Sequence, residues 1–199
     1  MSRPVLANRP LRILVALALL AVGMFAAATA PSGDDGVPAE FLVRAEPGEV
    51  VTTRLLHSRL DGAQIARSVT TTGWRAEQVR TTGRWVVVTL TLQTRDSSEG
   101  ISSSLLVIDG VEYSSYTGFD GDLSKYGEGP GVAQRGAIAF EVPAAALETS
   151  GAEHAEVRLQ TQVAPKLDDV PVFTVDLASA SRVDDLELPE PELVKALAP

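Results

Sequence analysis

The chain has 199 residues and a formal net charge of −9, with 45% hydrophobic residues, 16 glycines and 12 prolines. This composition supports a packed core and favours a β-rich fold over long helices. The absence of cysteine excludes disulfides, thiolate metal sites and a cysteine nucleophile, and two histidines leave little for zinc or histidine-based catalysis.

The first 30 residues form a basic and then apolar leader. Residues 1–12 carry three arginines and no acid, and residues 13–30 carry no charge. This pattern predicts a cytoplasmic N-terminus, a single membrane-crossing helix over residues 13–30 and an extracytoplasmic remainder. Two outcomes stay open. Pro31 disfavours cleavage after Ala30 and would leave an uncut signal anchor, whereas the small residues at 26–30 permit cleavage and secretion.

The part of the chain after residue 30 is acidic. It carries 14 basic and 26 acidic residues, a net charge of −12. A domain of this charge repels phosphate backbones, so nucleic acid is not expected as a partner.

Composition divides this exported part into three regions. Residues 31–49 mix proline, glycine and acids and predict a flexible spacer. Residues 179–199 contain a Pro-Glu-Pro spacing and predict an acidic tail. The region between them, residues 50–178, is the predicted folded domain.

Hydrophobic residues in this domain recur with a period of two. From Trp85 to Gln93, four aliphatic residues share one face and the threonines share the other, which predicts a strand with a core face and a wet face. Residues 137–142, 155–163 and 172–177 repeat the pattern, and Asp109-Gly110 predicts a hairpin. Connections are too short for helical crossovers. The sequence therefore predicts an all-β, antiparallel sandwich of seven or eight strands, preceded by one N-terminal hydrophobic helix.

Four segments carry a resemblance to a known family. They are Thr-Gly-Arg-Trp at 82–85, LVIDGVEY at 106–113, the glycines at 129–131 and GAIAFEVP at 136–143. Residues 70–178 thereby resemble bacterial extracytoplasmic immunoglobulin-like β-sandwiches of unknown function, which follow an N-terminal signal or anchor. The resemblance implies an immunoglobulin-like fold and an envelope location. It supplies no catalytic residue, and this chain lacks the lipobox cysteine that many relatives use.

A Gly-rich connection at residues 114–135 concentrates aromatic residues. Tyr113, Tyr116, Phe119 and Tyr126 lie within or beside it. Long loops are often functional, and tyrosine suits interfaces, so these four residues are candidate partner-binding residues. The alternative is that the rings fold back and plug the end of the sandwich, with Phe119 the expected buried ring and Tyr116 the expected exposed one.

The same connection contains a weak match to a calcium loop. Asp120, Asp122 and Ser124 place oxygen ligands at alternate positions, but Lys125 follows where glycine is needed and the final bidentate glutamate is missing. A solvated acidic turn is favoured, and no cofactor is expected. Both histidines, His57 and His154, are predicted to be surface or loop residues because neither has neighbours at metal-ligand spacing.

These observations predict a non-enzymatic extracytoplasmic module that binds a protein or cell-envelope partner, as an accessory part of a membrane complex. Two alternatives remain: an envelope hydrolase that acts through paired acidic residues, and an exported protein that binds a small ligand.

Overall fold

The computed structural model of the protein describes residues 9–29, 40–72, 76–95, 100–125, 129–161 and 168–197. The chain divides into two units, residues 1–38 and 39–199. The first unit contains helix α1, Arg9–Thr29. No helix within the described ranges has the length and apolarity of a membrane span.

The second unit is built from β-strands. Its described residues form β1 Phe41–Ala45, β2 Val50–Thr52, β3 Leu56–Thr71, β4 Gln78–Thr94, β5 Ser103–Ile108, β6 Val111–Ser114, β7 Ala133–Val142, β8 Ala155–Gln160, β9 Asp169–Val175, β10 Ser181–Leu188 and β11 Glu192–Val194. Short 3-10 turns occupy Leu123–Lys125, Ala144–Glu148 and Ser150–His154.

The strands form two sheets. The first sheet has the order β1-β9-β8-β5-β6, and the second has the order β10-β3-β4-β7-β11, with β2 also paired to β3. The predicted all-β sandwich is therefore confirmed. Most neighbours are antiparallel as expected, but β1 pairs with β9 and β10 pairs with β3 in parallel.

The main core lies between the two sheets. Val86, Val88 and Leu90 of β4 are fully buried there. They share one cluster with Ile138 and Phe140 of β7, and the first sheet contributes Val157, Leu159 and Phe173. The predicted core face of β4 is confirmed.

The β5–β6 hairpin forms at the predicted Asp-Gly dipeptide. Asp109 and Gly110 both have positive φ angles, 50° and 76°. These angles belong to a two-residue turn whose twist matches that of the flanking strands.

The far end of the β3–β4 ribbon bends back over the second sheet. Leu188 of β10 pairs with Thr71 at the end of β3. Glu192 of β11 pairs with Arg135 of β7, and Arg135 lies in the same row across the sheet as Arg59 of β3. Four residue steps separate Leu188 from Glu192, and they span at most about 14 Å. In a straight strand, the twelve steps from Arg59 to Thr71 would cover about 40 Å. The β3–β4 ribbon must therefore bend, and its two register shifts, at residues 60–62 and 66–68, provide the places.

This bend creates a second, smaller core on the outer face of the second sheet. Its buried members are Ala66, Val69, Trp85, Val87, Phe119, Ala137, Ala139 and Leu188. The outer face of β4 is therefore covered by the ribbon, by β10 and by the connection that follows β6.

The predicted wet face of β4 is wrong for this reason. Val87 is 3% exposed and Thr91 is fully buried. Alternation along β4 identifies the two faces correctly, but both are covered by other parts of the domain.

Two predicted domain boundaries also need correction. The spacer at 31–49 includes β1, whose register with β9 runs from Phe41 to Ala45, while residues 31–39 lie outside the described residues. The tail at 179–199 forms β10 and β11. β10 and β11 are short and acidic, and they are held largely by backbone pairing and by polar contacts at the sheet edges. Their sequences therefore show little of the hydrophobic alternation that identifies a strand.

Candidate functional site

Three aromatic rings pack together at the outer face of the second sheet. Trp85 of β4 contacts Tyr116 and Phe119 edge to face, with ring centroids 5.2 and 5.1 Å apart, and the rings of Tyr116 and Phe119 are 4.8 Å apart. Phe119 is 2% exposed, whereas Tyr116 is 39% exposed. Tyr116 therefore forms the solvent-facing end of an otherwise buried cluster.

The backbone fixes the position of Tyr116. Its N–H donates to the carbonyl oxygen of Ala139 at 2.8 Å, which joins the connection to the edge of β7. Gly118 lies directly against the tyrosine ring, and a Cβ atom there would come within 2.4 Å of the ring carbons. Only glycine allows this approach, so the exposed edge of Tyr116 has a defined place on the surface.

The four candidate partner-binding residues separate in the structure. Tyr113 is partly buried and packs against the main core. Phe119 belongs to the interior, which removes it from any contact surface and agrees with the alternative of a buried ring. It packs on the outer face of the second sheet, however, and not at the end of the sandwich. Tyr116 is the exposed candidate, and Tyr126 lies outside the described residues.

The acidic turn is organised by hydrogen bonds of its own. Oδ1 of Asp122 accepts from the backbone N–H of Ser124 at 2.8 Å, and Nζ of Lys125 donates to the carbonyl oxygen of Phe119 at 2.7 Å. Asp122 is 1% exposed, and burial raises the pKa of its carboxyl. The Lys125 ammonium within this turn opposes a second cation. Across the described ranges, no three acidic or histidine side chains are grouped as metal ligands.

A groove of about 620 Å³ lies where the β3–β4 ribbon bends. We call it the arginine groove; its lining residues are Arg67, Ser68, Arg80, Thr81, Arg84 and Asp184. Three guanidinium groups face one carboxylate here, an excess of positive charge on a chain whose net charge is −9. Such a local excess attracts anionic groups.

The guanidinium groups of the groove make few ion pairs or hydrogen bonds with other described residues. Nε of Arg67 lies 3.6 Å from Oδ1 of Asp184, and both side chains are largely exposed. Within the described ranges, Arg80 and Arg84 form no ion pair, and Arg84 donates to the neighbouring carbonyl oxygen of Gly83. Exposed pairs of this kind contribute little stability, so the arginines are free to exchange partners.

A second carboxylate, that of Asp185, lies near Arg80, but it makes its hydrogen bonds to other groups. Asp185 accepts hydrogen bonds from Ser68, Thr70 and Gln78, and those from Ser68 and then Gln78 lower the pKa of its carboxyl, which the charge of Arg80 also lowers. Its oxygens are thus committed to neutral donors. The charge of Arg80 is consequently not neutralised by direct contact.

Trp85 joins the groove to the aromatic cluster. Its indole N–H donates to the carbonyl oxygen of Val79 at 3.2 Å, next to Arg80, and Arg84 precedes it in β4. Its ring contacts Tyr116. Trp85, which is itself buried, is therefore a link between a strand of the groove and Tyr116. We refer to Tyr116 and the three arginines of the groove together as the outer surface.

Sequence reasoning missed the arginines. Arg67, Arg80 and Arg84 are spread over 18 positions and have no motif spacing. The antiparallel pairing of β3 with β4 brings them together, since Ser68, next to Arg67, lies opposite Arg80. The register shift between Ala66 and Ser68 leaves no signal in the hydrophobic pattern.

The two histidines differ. His57 lies in β3, is 9% exposed and has Nδ1 2.9 Å from Oγ1 of Thr52, so the predicted surface or loop position is wrong. Burial and, secondarily, the charge of Arg95 lower the pKa of His57. His154 is exposed in a 3-10 turn, as predicted.

Comparisons with known proteins give a distant similarity to a solved structure. No protein-family model and no curated protein matches the chain. Among solved structures, the chain is similar to an uncharacterized beta-sandwich protein from Clostridium difficile 630. The two chains are 9% identical, the alignment covers 69% of this chain and 95% of the other, and the TM-score is 0.42. No residue role follows from this similarity.

Proposed function

We propose that the chain is a non-enzymatic, extracytoplasmic binding module whose outer surface contacts a protein partner that presents acidic side chains. The observation that carries this proposal is the arginine groove, whose lining holds three guanidinium groups and a single carboxylate. Trp85, which follows Arg84 in β4, contacts the half-exposed ring of Tyr116. Arginine and tyrosine are the residue types that most often anchor protein interfaces.

The leader supports the location of this module. Three arginines before an uncharged run orient the N-terminus inwards, which delivers the domain outside the cytoplasm either anchored or released. The two facing sheets, with the first strand paired in parallel to a late strand, support membership of the immunoglobulin-like family. A module of this kind would serve as an accessory part of a membrane complex.

The pKa shifts of three carboxyl groups bear on whether these groups could act as the proton donor of a hydrolase. Burial alone would raise the pKa of Glu156, but hydrogen bonds from Arg158 and Arg44 lower it overall. Asp168 behaves in the same way, with hydrogen bonds from Arg54 and Thr161. Such groups stay ionised at neutral pH and are poor proton donors. Asp122 has a raised pKa, but its side chain is buried away from solvent.

Co-purification from the cells that produce the chain tests this proposal. The double variant Arg67→Gln, Arg80→Gln should lose the partner that copurifies with the wild type. The control Arg44→Gln, Lys195→Gln removes the same charge elsewhere and should retain it. Retention of the same partner by both variants, identified by mass spectrometry, would refute a role for the groove.

A further inference from the structure

A second basic site lies on the same sheet, about 20 Å from Trp85 along β4. Arg59 of β3 lies opposite Thr91 of β4, and Thr91 lies opposite Arg135 of β7. Side chains directly opposite each other in neighbouring strands share a face and lie within contact distance. Two arginines therefore flank one buried threonine in a single row across three strands.

Asp61 organises these side chains. Its carboxylate, only 10% exposed, accepts from Nε of Arg59 at 2.5 Å and from the hydroxyl of Thr91 at 2.6 Å, and Nε of Arg135 lies 3.4 Å away. Both arginines thus turn their Nε atoms toward one carboxylate. Among the described contacts, Nη1 of Arg59 and Nη2 of Arg135 have no partner, so each guanidinium keeps donors for a ligand.

A cavity of about 690 Å³ lies over this row. It is lined by Val50, Arg59, Asp61, Thr91 and Arg135 and by residues 194–197. Residues 194–197 are fixed in place. β11 pairs with β7, and the backbone N–H of Leu197 donates to Oε1 of Gln93 at 2.7 Å while its side chain is 7% exposed. The volume falls in the range of small-molecule sites.

The lining combines excess positive charge with an apolar wall. Arg59, Arg135 and Lys195 supply three positive charges, whereas Asp61 supplies one negative charge. Outside the lining, Oε1 of Glu192 lies 3.9 Å from Nη1 of Arg135, which leaves an excess of one positive charge. This excess favours an anion, since two guanidinium groups half shielded from water are stabilised by an oxyanion between them. Val50, Val194 and Leu197 provide apolar contact at the side of the cavity.

We infer that this cavity binds a small organic anion, with its carboxylate or phosphate group between Arg59 and Arg135 and its carbon skeleton against the apolar wall. This site goes beyond the proposed function, because it uses other residues and a different kind of ligand from the outer surface. Asp61 is a positioning residue, which holds the two arginines at a fixed separation before the ligand arrives.

Titration of the full chain with sodium hexanoate and with inorganic phosphate, followed by amide NMR, tests the inference. We expect saturable shifts at residues 91, 135 and 194–197. Tighter binding of hexanoate would assign a carboxylate ligand, and tighter binding of phosphate would assign a phosphorylated one. Absence of saturable shifts with both probes would overturn the inference.

Variants separate this site from general electrostatic attraction. Arg135→Gln should weaken binding by about tenfold or more, the value of a charge-assisted hydrogen bond. Arg44→Gln removes the same charge from the first sheet and should bind like the wild type. Arg135→Gln also removes one partner of Asp61 and can perturb folding. Lys195→Gln therefore provides a second variant, at an exposed side chain, for which we expect a smaller loss of affinity. Wild-type affinity in both cavity variants would contradict the inference.

Discussion

The hydroxyl group of Thr91 donates a hydrogen bond of 2.6 Å to Oδ2 of Asp61 on the outer face of the second sheet. Thr91 is fully buried, and Nη2 of Arg59 donates to the same hydroxyl at 3.3 Å. The threonine therefore connects a buried carboxylate with an arginine. This small network lets the carboxylate of Asp61 occupy a largely covered place on the sheet, since both of its oxygens have partners.

Replacement of Thr91 by valine should lower the free energy of unfolding by about 1–3 kcal/mol, because it removes a hydrogen bond from a buried carboxylate while keeping the side-chain volume. Urea denaturation measures this difference. Thr174→Val is the matched control, since Thr174 of β9 is only partly buried and the described contacts give it no hydrogen bond. Equal effects of the two substitutions would contradict the role of Thr91.

Truncation of the aromatic cluster should separate its interior from its exposed end. Phe119→Ala leaves a cavity at a 2% exposed position and should cost about 3–5 kcal/mol of stability. Tyr116→Ala should cost clearly less, because its ring is 39% exposed. Chemical denaturation of the two variants checks this order. A larger loss for Tyr116→Ala would show that its ring supports the fold more than it serves a surface.

The stability of the domain should fall as the pH decreases from about 7 to about 5. The pKa of His57 is lowered in the folded state by burial and by Arg95, so the unfolded chain binds the proton first. The contribution of His57 is thus present above its unfolded pKa and lost as the pH falls through its folded pKa. His57→Gln should flatten this part of the profile of melting temperature against pH. An unchanged slope in the variant would rule out His57 as the cause.

Asp122→Asn should stabilise the domain at neutral pH. Burial raises the pKa of Asp122, and within the described structure its buried Oδ2 has no hydrogen-bond partner. A raised folded pKa gives stability that is present below the unfolded pKa and lost as the pH rises, so ionised Asp122 destabilises the fold at pH 7. The gain should vanish below about pH 4. Asp184→Asn, at a 92% exposed side chain, is the control for thermal melts at both pH values. A destabilised Asp122→Asn at neutral pH would contradict this account.

The sequence predicts the sandwich because hydrophobic alternation identifies the core face of a strand. Val86, Val88 and Leu90 lie in the core, and Asp109-Gly110 forms the hairpin, because both signals are local. The pairing of β10 with β3 is not local. It combines backbone hydrogen bonds, acceptors such as Asp185 and the buried side chain of Leu188, and its acidic residues resemble those of a solvated tail.

The sites are harder to predict than the fold for a related reason. Tyr116 could be expected as an exposed ring from its polar tip and its long loop. Arg67 and Arg80 come together through the register of the β3–β4 pair, which places Ser68 opposite Arg80. Arg59 and Arg135 lie in one row on either side of Thr91. This placement depends on the strand order of the second sheet, which no local sequence pattern contains.

Photo-cross-linking from position 116 tests the proposed binding surface most directly. The full chain with p-benzoylphenylalanine in place of Tyr116, in the cells that produce it, should form one adduct of defined mass. That adduct should disappear in the background of Arg67→Gln with Arg80→Gln and persist in the background of Arg44→Gln with Lys195→Gln. The same photo-cross-linker at Glu153, exposed beside the first sheet, should not form it. An adduct that persists without the groove arginines, or that forms from Glu153 and not from position 116, would contradict the proposed function.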